Sequence, residues 1–159
     1  MNEKIKFITD SSLGKLARWL RILGYDTAYH AGYADRAFLR EAQKQGRVVL
    51  TRKKDMAQRQ FSGRIAVIHH ECVEDQLEEI ITTLSLVPEE DQIFTLCLRC
   101  NEKLAAVSKE EVSGTVPDYV LRCHGVFYRC HRCGGAFWPG THREKVKRIF
   151  RSRIQRRPP

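Results

Sequence analysis

No apolar run in this 159-residue chain approaches the roughly 18 residues needed to cross a bilayer. Met1-Asn2-Glu3-Lys4 leads straight into a strand-like segment and not into the apolar stretch of a signal peptide, so a cytoplasmic protein is expected. An internal repeat is also missing, which excludes a fibrous or solenoid array. Hydrophobic residues, at 42%, are too many for a disordered chain and enough for one sizeable core with a small satellite. Six cysteines in a reducing compartment do not suggest a disulfide framework; four of them form two Cys-X-X-Cys pairs, which points to metal.

The formal charge of +9 is unevenly placed. Residues 1–91 carry 14 basic and 14 acidic side chains, residues 92–142 carry 6 and 4, and residues 143–159 carry 8 and 1. Most of the excess therefore lies in the tail from Arg143 to Arg157. Val146, Ile149, Phe150 and Ile154 recur there at near-helical spacing, so the tail reads as a helix with one apolar edge and a basic face, ending before Pro158-Pro159. Such a face meets a polyanion or plain solvent. Nucleic acid is favoured over a membrane surface because the apolar edge is thin, and Arg143, Lys147 and Arg148 are its candidate contacts.

Along residues 1–91 short apolar strands alternate with amphipathic helices. Ile5 to Thr9 is followed by the N-cap cluster Asp10-Ser-Ser, and Leu13, Leu16, Ala17, Leu20 and Leu23 keep a 3.6-residue period up to Gly24. Thr27 to His30 suggests a second strand. Asp35 caps a helix over residues 36–45, stopped by Gly46; Val48 to Thr51 is a buried strand, and Asp55 is expected to cap a further short helix. Ile65 to Ile68 is the next strand, and Val73, Leu77, Ile80, Ile81 and Leu84 mark a helix ending before Pro88. Strands apolar on both faces, separated by helices, predict an α/β domain with a parallel sheet. After Asp91 helical periodicity stops and Gly134-Gly135 and Pro139-Gly140 signal turns, so residues 92–142 form a second module and 143–159 a basic tail.

In open parallel sheets ligands gather beyond the carboxyl ends of the strands. Asp10, Asp35, Thr51 and Asp55 all follow predicted strands and can share that edge. Several carboxylates around Mg²⁺ or Mn²⁺, hard cations that prefer oxygen, suit metal-assisted cleavage of a phosphodiester. Each aspartate also stands where an N-cap is wanted, and the two roles are compatible because a capping carboxylate keeps free lone pairs. Lys15, Arg18, Arg52, Lys53 and Lys54 beside them can hold phosphates or simply face solvent. Thr51 can orient a water or end its strand.

Cys97-Leu-Arg-Cys100 and Cys130-His-Arg-Cys133 carry the sharper signal. Two such knuckles complete a closed tetrahedral Cys₄ zinc site that stabilises a fold without catalysing. Cys123, His124 and His131 are alternative ligands that break the symmetric spacing, and Cys72 reads as a small buried hydrophobe. Phe127, Tyr128, Phe137 and Trp138, interleaved with Arg129 and Arg132, either stack on unpaired bases or pack the small ribbon.

The run from Phe7 through Asp10, Gly14, Arg18 and Gly24 to Asp26, then Asp35, then Val49-Leu-Thr51-Arg52-Lys-Lys-Asp55, the two knuckles and Trp138-Pro-Gly-Thr-His142 together resemble the Mut7-C RNase domain family over about residues 4–145. The resemblance implies a three-layer PIN-like α/β domain fused to a zinc ribbon, with a metal-dependent ribonuclease activity. By that analogy Asp10, Asp35 and Asp55 match acidic positions, Thr51 a polar position, and Cys97, Cys100, Cys130 and Cys133 the zinc ligands. Lys53 departs from the pattern, standing where the family often carries another acid. The expected function is ribonuclease action on single-stranded or structured RNA. A non-catalytic RNA- or ribosome-binding module is the alternative, and a protein-interaction scaffold a third.

Overall fold

A computed structural model describes residues 3–154, and the chain forms two compact units that divide after Asn101. In the first unit four short strands, β1 (Phe7–Thr9), β2 (Thr27–Tyr29), β3 (Val48–Thr51) and β4 (Ile65–Val67), make a wholly parallel sheet in the order β2-β1-β3-β4. Helices α1 (Gly14–Ile22), α2 (Arg36–Lys44) and α3 (Val73–Thr83) supply the crossovers and cover. The expected α/β class therefore holds.

Alternation along the strands sorts the core. Ile8 and Val49 meet Phe38, Leu39 and Ala42 of α2, with Ala34 and Met56 completing that cluster. Phe7 and Leu50, one residue out of step, belong to the opposite face. Helix α1 contacts β1 and β2 and packs on α3, and its Leu16 and Leu20 are fully buried. Phe7 and Tyr25 meet edge to face at 5.8 Å. A fully buried Phe38 contributes on the order of 2–3 kcal/mol from area alone. Gly24 ends α1 at φ +84°, and a Cβ there would fall 2.4 Å from the Gln92 carbonyl oxygen, so only glycine fits.

Three local expectations are corrected. Asp55 caps nothing: the turn after β3 is a 3-10 helix over Lys54–Gln58 that starts directly behind the strand, so Asp55 sits inside its first turn and pairs with Arg59 at 3.6 Å. Cys72 is exposed, because it stands at the entry to α3, where its thiol donates to Glu74 at 2.9 Å. Helices also continue past Asp91, but α4 (Lys109–Val112) and α5 (Asp118–Cys123) are too short to show a period.

The second unit is a three-stranded antiparallel sheet, β5 (Ala105–Val107), β6 (Phe127–Arg129) and β7 (Ala136–Phe137), in that order, followed by α6 (His142–Ile154). Its core is Val112, Val116, Val120 and Phe127, with Trp138 packed against it. A capping box between Ser108 and Glu111 starts α4, and the Ser108 amide holds the Glu111 carboxyl below its ordinary value. Val146 of α6 is buried, whereas the side chains of Phe150 and Ile154 and the residues from Gln155 to Pro159, with the expected stop at Pro158, lie outside the described part. Among the described residues no helix is long and apolar enough to cross a membrane.

Beyond β4, one carboxylate gathers two histidines. Glu79 of α3 accepts from the His69 and His70 amides and meets both Nδ1 atoms at 2.7 and 2.8 Å. Burial pushes the Glu79 carboxyl up, but the His70 and His69 rings and amides outweigh it and hold its pKa at about 2; His70 is in turn raised, first by its bond to Glu79. The Glu79 contribution to stability is complete above 4.5 and lost as pH falls toward 2. The His70 contribution is complete below 6.5 and lost as pH rises through its raised folded value. The loss of Tm caused by Glu79→Gln should therefore peak between pH 4.5 and 6.5; a pH-independent difference would remove the clasp's electrostatic role.

Candidate active site and cysteine cluster

Because the sheet is parallel, the loops after β1, β2, β3 and β4 leave from one edge. Asp10 directly follows β1, Asp35 precedes α2 on the path from β2, and Thr51 ends β3. Asp10 is 3% exposed and its carboxylate is almost fully engaged. Oδ1 accepts from the Ser12 amide at 2.9 Å and from the Ser12 hydroxyl, and Oδ2 accepts from Thr51 Oγ1 at 2.7 Å. Thr51 Oγ1 in turn accepts from the Lys53 amide at 3.1 Å, so a short relay runs from the Lys53 backbone through Thr51 to Asp10. A carboxylate offers about four lone-pair sites, so three donors leave room for one more partner.

Asp35 is exposed and caps α2, accepting from the Phe38 amide at 2.9 Å. That bond, ahead of opposing desolvation, holds its carboxyl below the ordinary range, and His30 adds to the effect. Asp55 is exposed and faces Arg59. The structure thus brings Asp10 and Thr51 into contact. Asp35 and Asp55 do not join Asp10 in a group whose ligand atoms close on one ion; among the described residues, the one such group is made of cysteines.

Of the basic candidates, Lys15 and Arg18 lie exposed on α1, and Arg52, Lys53 and Lys54 lie exposed after β3. Arg52 reaches Glu71 at 3.9 Å, and Lys53 Nζ sits 5.9 Å from the ring centroid of Tyr33. Arg143, Lys147 and Arg148 are exposed on α6, with Lys147 3.5 Å from Glu144. Sequence reasoning missed several residues at the same edge. His30 follows β2, donates its amide to Thr9 O at 2.8 Å and lies 5.3 Å from the Phe38 ring. Glu71 and Glu74 line a depression with Ser11, Ser12, Lys15 and Arg52. The only signal for them was their place just after a strand.

The sulfurs of Cys97, Cys100, Cys130 and Cys133 all lie within 4.8 Å of one another, so the four could hold a metal ion. Tetrahedral zinc with bonds of about 2.3 Å needs sulfurs about 3.8 Å apart, and the set fits. Amides support the sulfurs as knuckles do: Cys100 N donates to Cys97 Sγ and Gly135 N to Cys133 Sγ, each at 3.4 Å. Cys123, His124 and His131 stand outside the group. Of the aromatics near the second knuckle, Phe127 belongs to the small core and Trp138 packs against it, while Arg129 and Arg132 bond to Glu111 O and Glu102.

The first knuckle is tied into the α/β unit. Arg21 of α1, 6% exposed, donates from Nε to Thr27 O at 2.9 Å and from Nη1 to Leu98 O at 2.8 Å. Burial lowers its pKa, while Cys97 and then Cys100 pull it back up. Asn101, at φ +64°, closes the loop by accepting from the Thr27 amide at 2.9 Å and donating to Asp26.

Comparison with curated proteins and comparison with solved structures each return no match. The family model described as the Mut7-C RNAse domain matches residues 5–150, so the parallel sheet with its Asp10–Thr51 pair and the cysteine cluster are those of a chain that belongs to this family.

Proposed function

We propose that the protein is a metal-dependent ribonuclease, with Asp10 as the anchor of the site and RNA as the substrate. The observation that carries the reading is the buried, hydrogen-bonded Asp10–Thr51 pair at the ligand-gathering edge of a parallel sheet, in a chain of an RNase domain family. The oxygen donor set suits Mg²⁺ or Mn²⁺. Such ions usually take one or two carboxylates directly and complete their shell with water and phosphate, so Asp35 and Asp55 need not touch the ion. When bound, the metal supplies a more acidic water and neutralises charge on the scissile phosphate.

The protein's part is positional. Ser12 and Thr51 fix both oxygens of Asp10, so its remaining lone pair points where the backbone sets it. The Phe38 amide, which holds the Asp35 carboxyl below its ordinary range, fixes Asp35 at the start of α2. Arg52, Lys53 and Lys54 hold the backbone of the RNA against this negative edge. Lys53, at a position where an acid would have been expected, adds to that hold and not to the metal. The four cysteines hold a structural zinc. Reduced thiols suit the cytoplasm, where we place the protein.

Asp10→Asn should lower Mn²⁺-dependent cleavage of a single-stranded RNA by at least about 100-fold, while Thr51→Val, which removes a supporting partner, should cost about 10- to 100-fold. Cleavage that survives Asp10→Asn rejects the site. That Asp10, Asp35 and Asp55 do not form one ligand group among the described residues favours a second reading, a non-catalytic RNA- or ribosome-binding module. Calorimetric titration with Mn²⁺ decides between them: an ion bound in wild type and lost in Asp10→Asn supports the nuclease, whereas RNA binding with no such ion supports the binder.

For the cysteine cluster, elemental analysis should find one zinc per chain. Cys130→Ser should lose it and lower Tm, because structural zinc contributes on the order of 10 kcal/mol in small modules. Cys123→Ser should retain the metal. Zinc content unchanged in Cys130→Ser would rule the cluster out as the site.

A further inference from the structure

A cleft of about 460 Å³ opens on the α/β unit between the start of α1, the end of β2 and the first knuckle. Its lining includes Lys15, Arg18, Arg21, Tyr29 and Arg99, four cations and no acid. Arg21 is buried and occupied with the carbonyls of Thr27 and Leu98, so it serves as floor. Lys15, Arg18 and Arg99 are exposed, and none makes an ion pair among the described residues. In a chain of 19 acidic residues, three unpaired cations around one hollow make a local anion site.

Tyr29 gives the cleft a second property. It is 46% exposed, lies beside Gly14 at the start of α1, and pairs in register with Thr9, the residue before Asp10. An aromatic surface left open next to cations is the combination that takes single-stranded nucleic acid, with bases on the ring and phosphates on the charges. The cleft also begins where the candidate site ends, because Gly14 and Lys15 follow Asp10 by one short turn.

We propose that this cleft is the track along which a single-stranded RNA leaves or enters the site, with Lys15, Arg18 and Arg99 on its phosphates and an unpaired base stacked on Tyr29. The track rests on the ribonuclease reading for its place beside Asp10, but its capacity to bind RNA does not. Arg99 lies within Cys97-Leu98-Arg99-Cys100, so the knuckle that carries two metal ligands also presents one of the track's cations. Tyr29 acts through its ring and not its hydroxyl, which makes base stacking separable from charge.

The test uses the full-length, zinc-loaded protein without added Mg²⁺ or Mn²⁺, and fluorescence anisotropy with a labelled oligouridine and with an abasic strand of equal length. Tyr29→Leu, which keeps apolar packing, should weaken oligouridine binding by about 5- to 150-fold and leave the abasic strand unaffected; Tyr29→Phe should bind as wild type. Arg18→Gln and Arg99→Gln should each reduce the slope of log affinity against log salt by about 0.7 on both strands, whereas Arg40→Gln, on α2, should not. Equal losses on both strands with Tyr29→Leu, or an unchanged slope with the two arginine variants, overturns the track. Cleavage measured separately with Mn²⁺ keeps the two readings apart. If the cleft variants bind as expected and Asp10→Asn still cuts, the track stands and the nuclease site falls; if Asp10→Asn is inactive and the cleft variants bind as wild type, the track falls alone.

Discussion

A guanidinium taken out of water decides how the first unit closes. Arg21 belongs to a helix whose neighbours are apolar, and a buried cation costs several kcal/mol unless its donors are met. They are met by the carbonyls of Thr27 and Leu98, which places the edge strand and the first cysteine loop on the same side chain. Cys97 and then Cys100, by the negative charge their sulfurs carry as thiolates, offset part of the burial. Removal of the charge would leave two carbonyl groups short of a donor, each worth about 1–3 kcal/mol when buried. Asn101 doubles the tie through Thr27 and Asp26, so the loop is held before any metal is considered.

In Asp10 the oxygens that stabilise the fold are the same ones that the proposed metal would use. As a cap it organises the turn into α1, and through Thr51 it joins β1 to β3, which are neighbours in the sheet but 41 residues apart in the chain. A carboxylate this buried must be satisfied, and Ser12 and Thr51 satisfy it. The bonds that stabilise it also remove its freedom to move, which is what a ligand or a general base needs in order to act without reorganisation.

Much of this was legible in the sequence, for identifiable reasons. The strands around Ile8 and Val49 and helix α1 follow from local period, and the caps at Asp10 and Asp35 from residue type at strand ends. The Cys₄ set follows from spacing. The misses follow from geometry that spacing does not encode. Asp55 fell inside a 3-10 turn because β3 ends without a linker, and Cys72 surfaced because it begins a helix. His30, Tyr29 and Arg99 gain meaning only once the order β2-β1-β3-β4 sets β2 beside β1, and Arg21 and Asn101 only once partners more than 70 residues away are in place.

The four cysteines are not equally sheltered. Cys97 and Cys130 are fully buried, Cys100 is half-buried and Cys133 is exposed. Oxidants and competing chelators act on sulfur they can reach, and a thiolate at the surface is the one that moves first to sulfenic acid or to a mixed disulfide. Damage to the cluster therefore starts most readily at Cys133. Whether a cell can undo that first step, by reducing Cys133 before its buried partners are uncovered, sets how long the site outlasts an oxidising episode.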